Sequence, residues 1–108
     1  MFSAEEREDM YIVRINKQEA DIDINSIEEL KKMLEEGIEK GYKKIIVDFK
    51  NVSYIDSSGL GCLMDIMKKE KEKNKGEVGI LSIRPEILEV FTATKIAQFF
   101  RFYKSLSA

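Results

Sequence analysis

An apolar, β-branched run followed, after one polar break, by a capped amphipathic helix constrains this chain more than any other feature. Ile45, Ile46, Val47 and Phe49 have the pattern of a short buried strand. Lys50-Asn51 interrupts it, and Val52, Tyr54 and Ile55 lead back toward the core. Asp56 then suits an N-cap, because its carboxylate can accept from the free backbone N–H groups of the next turn. Leu60, Leu63, Met64 and Met67 follow at i, i+3, i+4 and i+7, one face of a helix. Asp65, Lys68, Lys69 and Glu70 fall on the wet faces of that helix. Ser57, Ser58 and Gly59 occupy its first turn, where unpaired N–H groups and the positive end of the helix dipole favour an anion. Gly59 and Gly61 each cost up to ~1 kcal/mol inside a helix. Placed beside two hydroxyls, they leave bare backbone that another protein can approach.

The rest of the chain supplies a sheet around that joint. Residues 1–7 are weakly patterned and fit a short edge strand, and Glu8-Asp9 reads as a turn. Met10 to Asn16 reads as a strand, with Tyr11, Val13 and Ile15 on one face and Arg14 on a partly solvated one. Lys17 to Asn25 is a polar loop carrying Glu19, Asp21 and Asp23. Ser26-Ile27-Glu28-Glu29 has the form of a capping box. The helix it opens runs to about Lys40, with an apolar stripe of Ile27, Leu30, Leu34 and Ile38, and Met33 alongside. Glu28–Lys32 and Glu36–Lys40 are helix pairs in the favourable order, and Gly41 is a C-terminal stop. The second helix fades through the charged run Lys68 to Lys75. Val78 to Ile83 is another strand, Pro85 opens a short helix with Leu88 and Phe91 facing inward, and Phe99 to Tyr103 is the last strand. Strands alternating with helices predict an α/β fold with a mainly parallel sheet.

With 108 residues, the expectation is a single domain over 1–108. A net charge of −2 gives no basic footprint for nucleic acid. No apolar run nears the ~20 residues of a membrane span, so the expected setting is the cytoplasm, without membrane or nucleic-acid partners. Cys62 is the only cysteine and histidine is absent. That removes Ser-His-Asp and Cys-His catalysis and histidine metal sites. G-x-S-x-G and G-x-x-x-x-G-K-[ST] are absent too. Glu19, Asp21, Asp23 and Asp56 read as loop polarity plus a helix cap rather than a metal set. Cys62 and Met33, Met64 and Met67 read as core fillers. The expectation is therefore no enzyme and no cofactor.

Asp56-Ser57-Ser58-Gly59-Leu60-Gly61 after an apolar strand resembles the signature of the STAS domain of bacterial anti-sigma factor antagonists. Gln18-Glu19-Ala20-Asp21 resembles the family's Gly-Glu-Leu-Asp stretch, with Gln18 in place of the usual glycine. Phe91-Thr92 and Phe99 to Tyr103 resemble the family's closing helix and strand, and little follows that corresponds to the final helix many members carry. The resemblance implies a STAS-like fold: a four- to five-stranded mixed, mainly parallel sheet with helices chiefly on one face. It also implies a function. The unphosphorylated form would bind an anti-sigma factor that is also a serine-protein kinase, releasing a sigma factor. Phosphorylation of Ser57, or alternatively Ser58, would end that binding, and a serine phosphatase would restore it. Asp21, Asp23, Asp56, Ser57, Ser58, Gly59, Leu60 and Gly61 are the implied partner-binding residues, and the free protein is expected to be a monomer. The alternatives are a STAS scaffold or sensor module in another kinase or phosphatase pathway, and a small-ligand or nucleotide-binding STAS domain.

Overall fold

Along the second strand, Tyr11, Val13 and Ile15 alternate with Ile12 and Arg14, and the two sets serve opposite faces of one sheet. The computed structural model describes residues 1–106. Its elements run β1 (Phe2–Arg7), β2 (Met10–Ile15), β3 (Ala20–Ile22), α1 (Ile27–Glu39), β4 (Lys44–Asp48), β5 (Val52–Ile55), α2 (Ser57–Asn74), β6 (Glu77–Leu81) and α3 (Pro85–Ala93). A 3-10 turn (Ala97–Phe99) and β7 (Arg101–Tyr103) follow. Five strands form the main sheet in the order β1-β2-β4-β6-β7. The β1–β2 pair is antiparallel and the other pairs are parallel. All three helices pack on the face bearing Tyr11, Val13, Ile15, Ile45, Val47, Val78 and Ile80. The opposite face carries a smaller apolar cluster of Ile12, Ile46 and Leu81, with Tyr103 and Leu106 packed against it. Beside it Arg14 bridges Asp48 at 2.9 Å and Glu5 at 2.7 Å, tying β1 to β4 across β2.

Several expectations are corrected. The polar loop from Lys17 to Asn25 contains a strand, β3, which pairs in parallel with β5 as a separate two-stranded sheet. At three residues β3 is too short to show a period. Tyr54 therefore does not return to the core; it points outward, 52% exposed. Ser26 makes no capping bond to Glu29. Its Oγ accepts from the Asp23 N–H at 3.1 Å and donates to the Asp21 carbonyl at 3.0 Å, so it staples the β3–α1 turn. Lys40 reaches Glu6 on β1, at 3.0 Å, rather than Glu36. Leu88 is only half-buried, whereas Ile87 is buried beside Phe91. Phe99 lies in the 3-10 turn, exposed, before β7 begins.

The largest departure concerns α2. It stays fully helical through the charged run rather than fading across it, and ends at Asn74, where Lys75 closes it in a left-handed conformation (φ 56°). Its charges are organised against α1: Lys69 meets Glu35 at 2.6 Å and Asp65 at 3.1 Å, and Lys73 meets Glu39 at 2.8 Å. Such exposed pairs contribute about 0–1 kcal/mol each and align the helices more than they stabilise them. Glu70 is not on a wet face; it is fully buried.

Phe91 is the hub of the helix-bearing face. Its ring meets Phe49, Phe100 and Phe102 edge-on, at centroid distances of 6.0, 5.6 and 5.9 Å. Phe91→Ala is expected to lower stability by about 3–5 kcal/mol, seen as a lower midpoint in urea unfolding with α/β circular dichroism retained in buffer.

Candidate functional site

The site begins with Asp56, the residue that ends β5 and starts α2. Its backbone is extended (φ −103°, ψ −176°) and its Oδ1 accepts the Gly59 N–H at 3.0 Å, a side-chain N-cap. Its own N–H donates to the Ile22 carbonyl at 3.2 Å, tying the start of α2 to the end of β3. Ser57 and Ser58 are the first two helical residues, and at those positions the N–H groups have no intrahelical acceptor. Ser57 is exposed and Ser58 half-buried.

The two glycines have different roles. Gly59 is buried beneath the turn. A Cβ there would lie 2.7 Å from Ile55 Cγ1 and 2.8 Å from both Ile22 Cγ2 and the Ile22 carbonyl. The expectation of bare backbone open to a partner therefore fails for Gly59: its missing side chain lets α2 sit on the β3–β5 ribbon. Gly61 has nothing within 4 Å of its would-be Cβ and keeps an open surface. Leu60, between them, is half-buried against the core.

β3 brings the acidic residues to the same end. Asp21 sits opposite Tyr54, exposed. Asp23 lies one residue past Ile22, the partner of Ile55, and so beside Asp56. Asp23 is half-buried and Oδ1 accepts the Asn25 N–H at 2.9 Å, so its side chain also shapes the turn. Glu19 is directed elsewhere: in a left-handed conformation (φ 51°), it receives two bonds from Arg84, at 3.2 and 3.0 Å. That guanidinium holds the Glu19 carboxyl below its usual range. Among the described residues, no three acidic or thiol side chains converge as a metal set. Burial pushes the Cys62 thiol up, away from the reactive thiolate.

Two exposed apolar residues escaped the sequence reading. Ile24, 69% exposed, lies in the β3–α1 turn, and Tyr54, 52% exposed, stands on β5 opposite Asp21. A lone isoleucine between Asp23 and Asn25 was the available signal for the first. The arrangement presents the Ser57 hydroxyl at a helix start, at the same end of the fold as Asp21, Asp23 and Asp56.

The whole chain, residues 1–108, matches the STAS domain family. The chain belongs to that family. Among curated relatives, the anti-sigma-B factor antagonist of Staphylococcus aureus is 32% identical over 74 residues, 68% of each chain. Among solved structures, a candidate anti-sigma factor antagonist from Thermotoga maritima shares the fold at a TM-score of 0.84, with 24% identity over 97% of this chain and 87% of that one. The anti-sigma factor antagonist SpoIIAA, in its unphosphorylated form, superposes at 0.71 with 23% identity, over 99% and 90%. SpoIIAA has also been solved phosphorylated, at a TM-score of 0.69 and 22% identity, over 94% and 90%. In this STAS domain the five-stranded sheet with helices on one face agrees with the expected fold.

The glycine pair separates packing from propensity. Gly59→Ala is expected to destabilise by about 1–3 kcal/mol, the range for forced overpacking. Gly61→Ala is expected to stabilise by up to ~1 kcal/mol, the helix-propensity gain of alanine. Thermal melts of the two variants check both signs.

Proposed function

We propose that this STAS domain is an anti-sigma factor antagonist switched by phosphorylation of Ser57. The observation that carries the reading is the exposed Ser57 hydroxyl at the first position of α2, beside an Asp56 already occupied in capping Gly59. The names of the S. aureus relative and of SpoIIAA support it. The unphosphorylated form binds an anti-sigma factor that is also a serine kinase, and sigma factor is released. The kinase transfers the γ-phosphoryl group of its ATP to Ser57 Oγ, and the complex dissociates; a serine phosphatase hydrolyses the phosphoester and resets the switch. The protein is substrate and ligand in the cytoplasm, a monomer when free, and holds no ATP, Mg²⁺ or other cofactor itself.

Local electrostatics are sufficient for the switch. A phosphate adds about −1.5 to −2 charges at pH 7. The helix N-terminus tolerates them, so the fold survives. Residues 18–30 and 51–67 contain Asp21, Asp23 and Asp56 but no lysine or arginine, and Arg84 is paired with Glu19. No basic side chain of these segments pairs with the dianion, which faces a partner surface shaped for a hydroxyl, and desolvating it there costs several kcal/mol. Ile24 and Tyr54 supply apolar anchors around it, the kind of side chain on which interface energy concentrates.

Ser57→Ala is expected to bind the kinase and resist release by ATP, and Ser57→Asp to fold normally but bind about 100-fold or more weakly, equivalent to about 2.8 kcal/mol. Ser58→Ala still accepts phosphate. Peptide mass spectrometry after incubation with the kinase decides the acceptor: phosphate on Ser58, or persistent phosphorylation of Ser57→Ala, would place it one residue later. Asp21→Ala, an exposed position, is expected to leave the melting temperature within about 2 °C, since surface changes usually stay within ±0.5 kcal/mol, while weakening kinase binding or slowing phosphorylation. A sharp drop in melting temperature with both functions intact would make Asp21 structural only.

A further inference from the structure

At the end of α2 opposite Ser57, the Glu70 carboxyl is buried completely, without a cation. Its Oε1 accepts from Asn74 Nδ2 at 2.8 Å; its Oε2 has no hydrogen-bond partner among the described residues. The same Asn74 amide bonds the Ile38 carbonyl at 3.0 Å and the Tyr42 carbonyl at 3.3 Å, so Glu70 and Asn74 plug the junction of α2 with the α1–β4 turn. Oε2 and the Lys43 carbonyl converge on Gly76, where a Cβ would collide with both. The Gly76 N–H in turn donates to the Glu70 carbonyl at 3.3 Å.

The charged groups around the plug are directed elsewhere. From α1, Glu39 pairs with Lys73 and Lys40 with Glu6. The Tyr42 hydroxyl bonds Glu6, and Lys43 is exposed with its carbonyl inward. Lys44 of β4 reaches Asp9, and Glu77 of β6 accepts from Tyr103. On α2 itself Lys69 pairs with Glu35 and Asp65, and Lys71 is exposed, as is Lys75 at its end. An ionised carboxylate buried without a cation or a second donor is strongly disfavoured.

We infer that Glu70 is a neutral carboxylic acid in the folded protein and acts as a pH-sensitive latch on the C-terminal end of α2. Protonated, its Oε2–H turns to the Lys43 carbonyl; when the proton passes to solvent, the carboxylate leaves the plug and the last turn of α2 detaches from the α1–β4 turn. Burial pushing the Glu70 carboxyl up agrees with this.

The sign of the linkage is definite. An acid neutral when folded and ionised when unfolded gives full stability below about pH 4.3, and stability falls as pH rises toward the folded pKa. Glu5, Glu6, Glu19 and Asp65, held low by their basic or hydroxyl partners, act in the opposite direction and only in the acid range. With no histidine in the chain, the window from pH 5 to 7 is left to Glu70. Urea unfolding of the full chain across that window is the test, with Glu70→Gln as the uncharged isostere. The unfolding constant of the natural protein should rise up to tenfold per pH unit, that of Glu70→Gln should stay level, and the protection factors of the residue 71–76 amides, taken against their base-catalysed intrinsic rates, should fall with rising pH in the natural protein and not in Glu70→Gln. Equal profiles for the two proteins would overturn the inference. Should Glu70→Gln fail to fold, the ¹³C shift of the Glu70 carboxyl decides: a titration midpoint above that of an unfolded glutamate supports the latch, and one at or below ~4.3 overturns it.

Discussion

The candidate site depends on one main-chain hydrogen bond, from the Asp56 N–H to the Ile22 carbonyl. It joins the end of β3 to the start of α2 at a point where neither element alone could satisfy its backbone groups. A helix start leaves N–H groups unpaired, and a three-residue strand has little ladder of its own. The contact requires α2 to approach the β3–β5 ribbon closely, and Gly59 permits that approach because any side chain there would strike Ile22 and Ile55. The Asp56 carboxylate then turns inward to Gly59, leaving the Ser57 hydroxyl as the more exposed of the two serine hydroxyls in the turn. The D-S-S-G order thus encodes a bond, a cap, two exposed or half-exposed hydroxyls and a close approach, in four successive residues.

The two ends of α2 satisfy their backbone by opposite means. At the N-terminus, one side-chain cap and solvent suffice, so a hydroxyl can remain available. At the C-terminus, the left-handed Lys75, the Asn74 amide and the Glu70 carboxyl close the end against protein. Asn74 donates to the Ile38 carbonyl in the last turn of α1 and to the Tyr42 carbonyl in the α1–β4 turn. One plug therefore finishes α1 while it anchors α2, and the inter-helix ion pairs lie along the seam between.

This division explains what could be read from the residues alone. Long apolar periods were legible: Tyr11, Val13 and Ile15 on β2, Ile45 to Val47 on β4, and the Leu30–Leu34–Ile38 stripe of α1 are all buried. Asp56 was legible as a cap because capping is local chemistry. What stayed hidden was set by tertiary contact. β3 was invisible because Ala20 to Ile22 has no length in which to show alternation. Ser26 satisfied the pattern of a capping box, yet the β3–α1 turn claims its hydroxyl. Glu70 has the composition of a surface residue, and only the approach of Gly76 and the α1–β4 turn makes its position interior. Tyr54 read as core by residue type, and the ribbon turns it outward; Ile24 fell unnoticed inside a polar loop, and the β3–α1 turn exposes it.

A switch built on this frame needs no moving part. The first turn of α2 is held by the Ile22 bond beneath, the Asp56 cap beside and the buried Gly59 below, so there is little slack for a modified serine to displace. The unpaired N–H groups and the helix dipole offset part of an added negative charge locally, which keeps the fold intact. The surrounding carboxylates do not neutralise it, which keeps the charge visible from outside. Under the proposed function, packing and acidity would have complementary effects: one would confine the consequence of modification to the surface, and the other would make that surface hostile to a partner packed against a neutral hydroxyl.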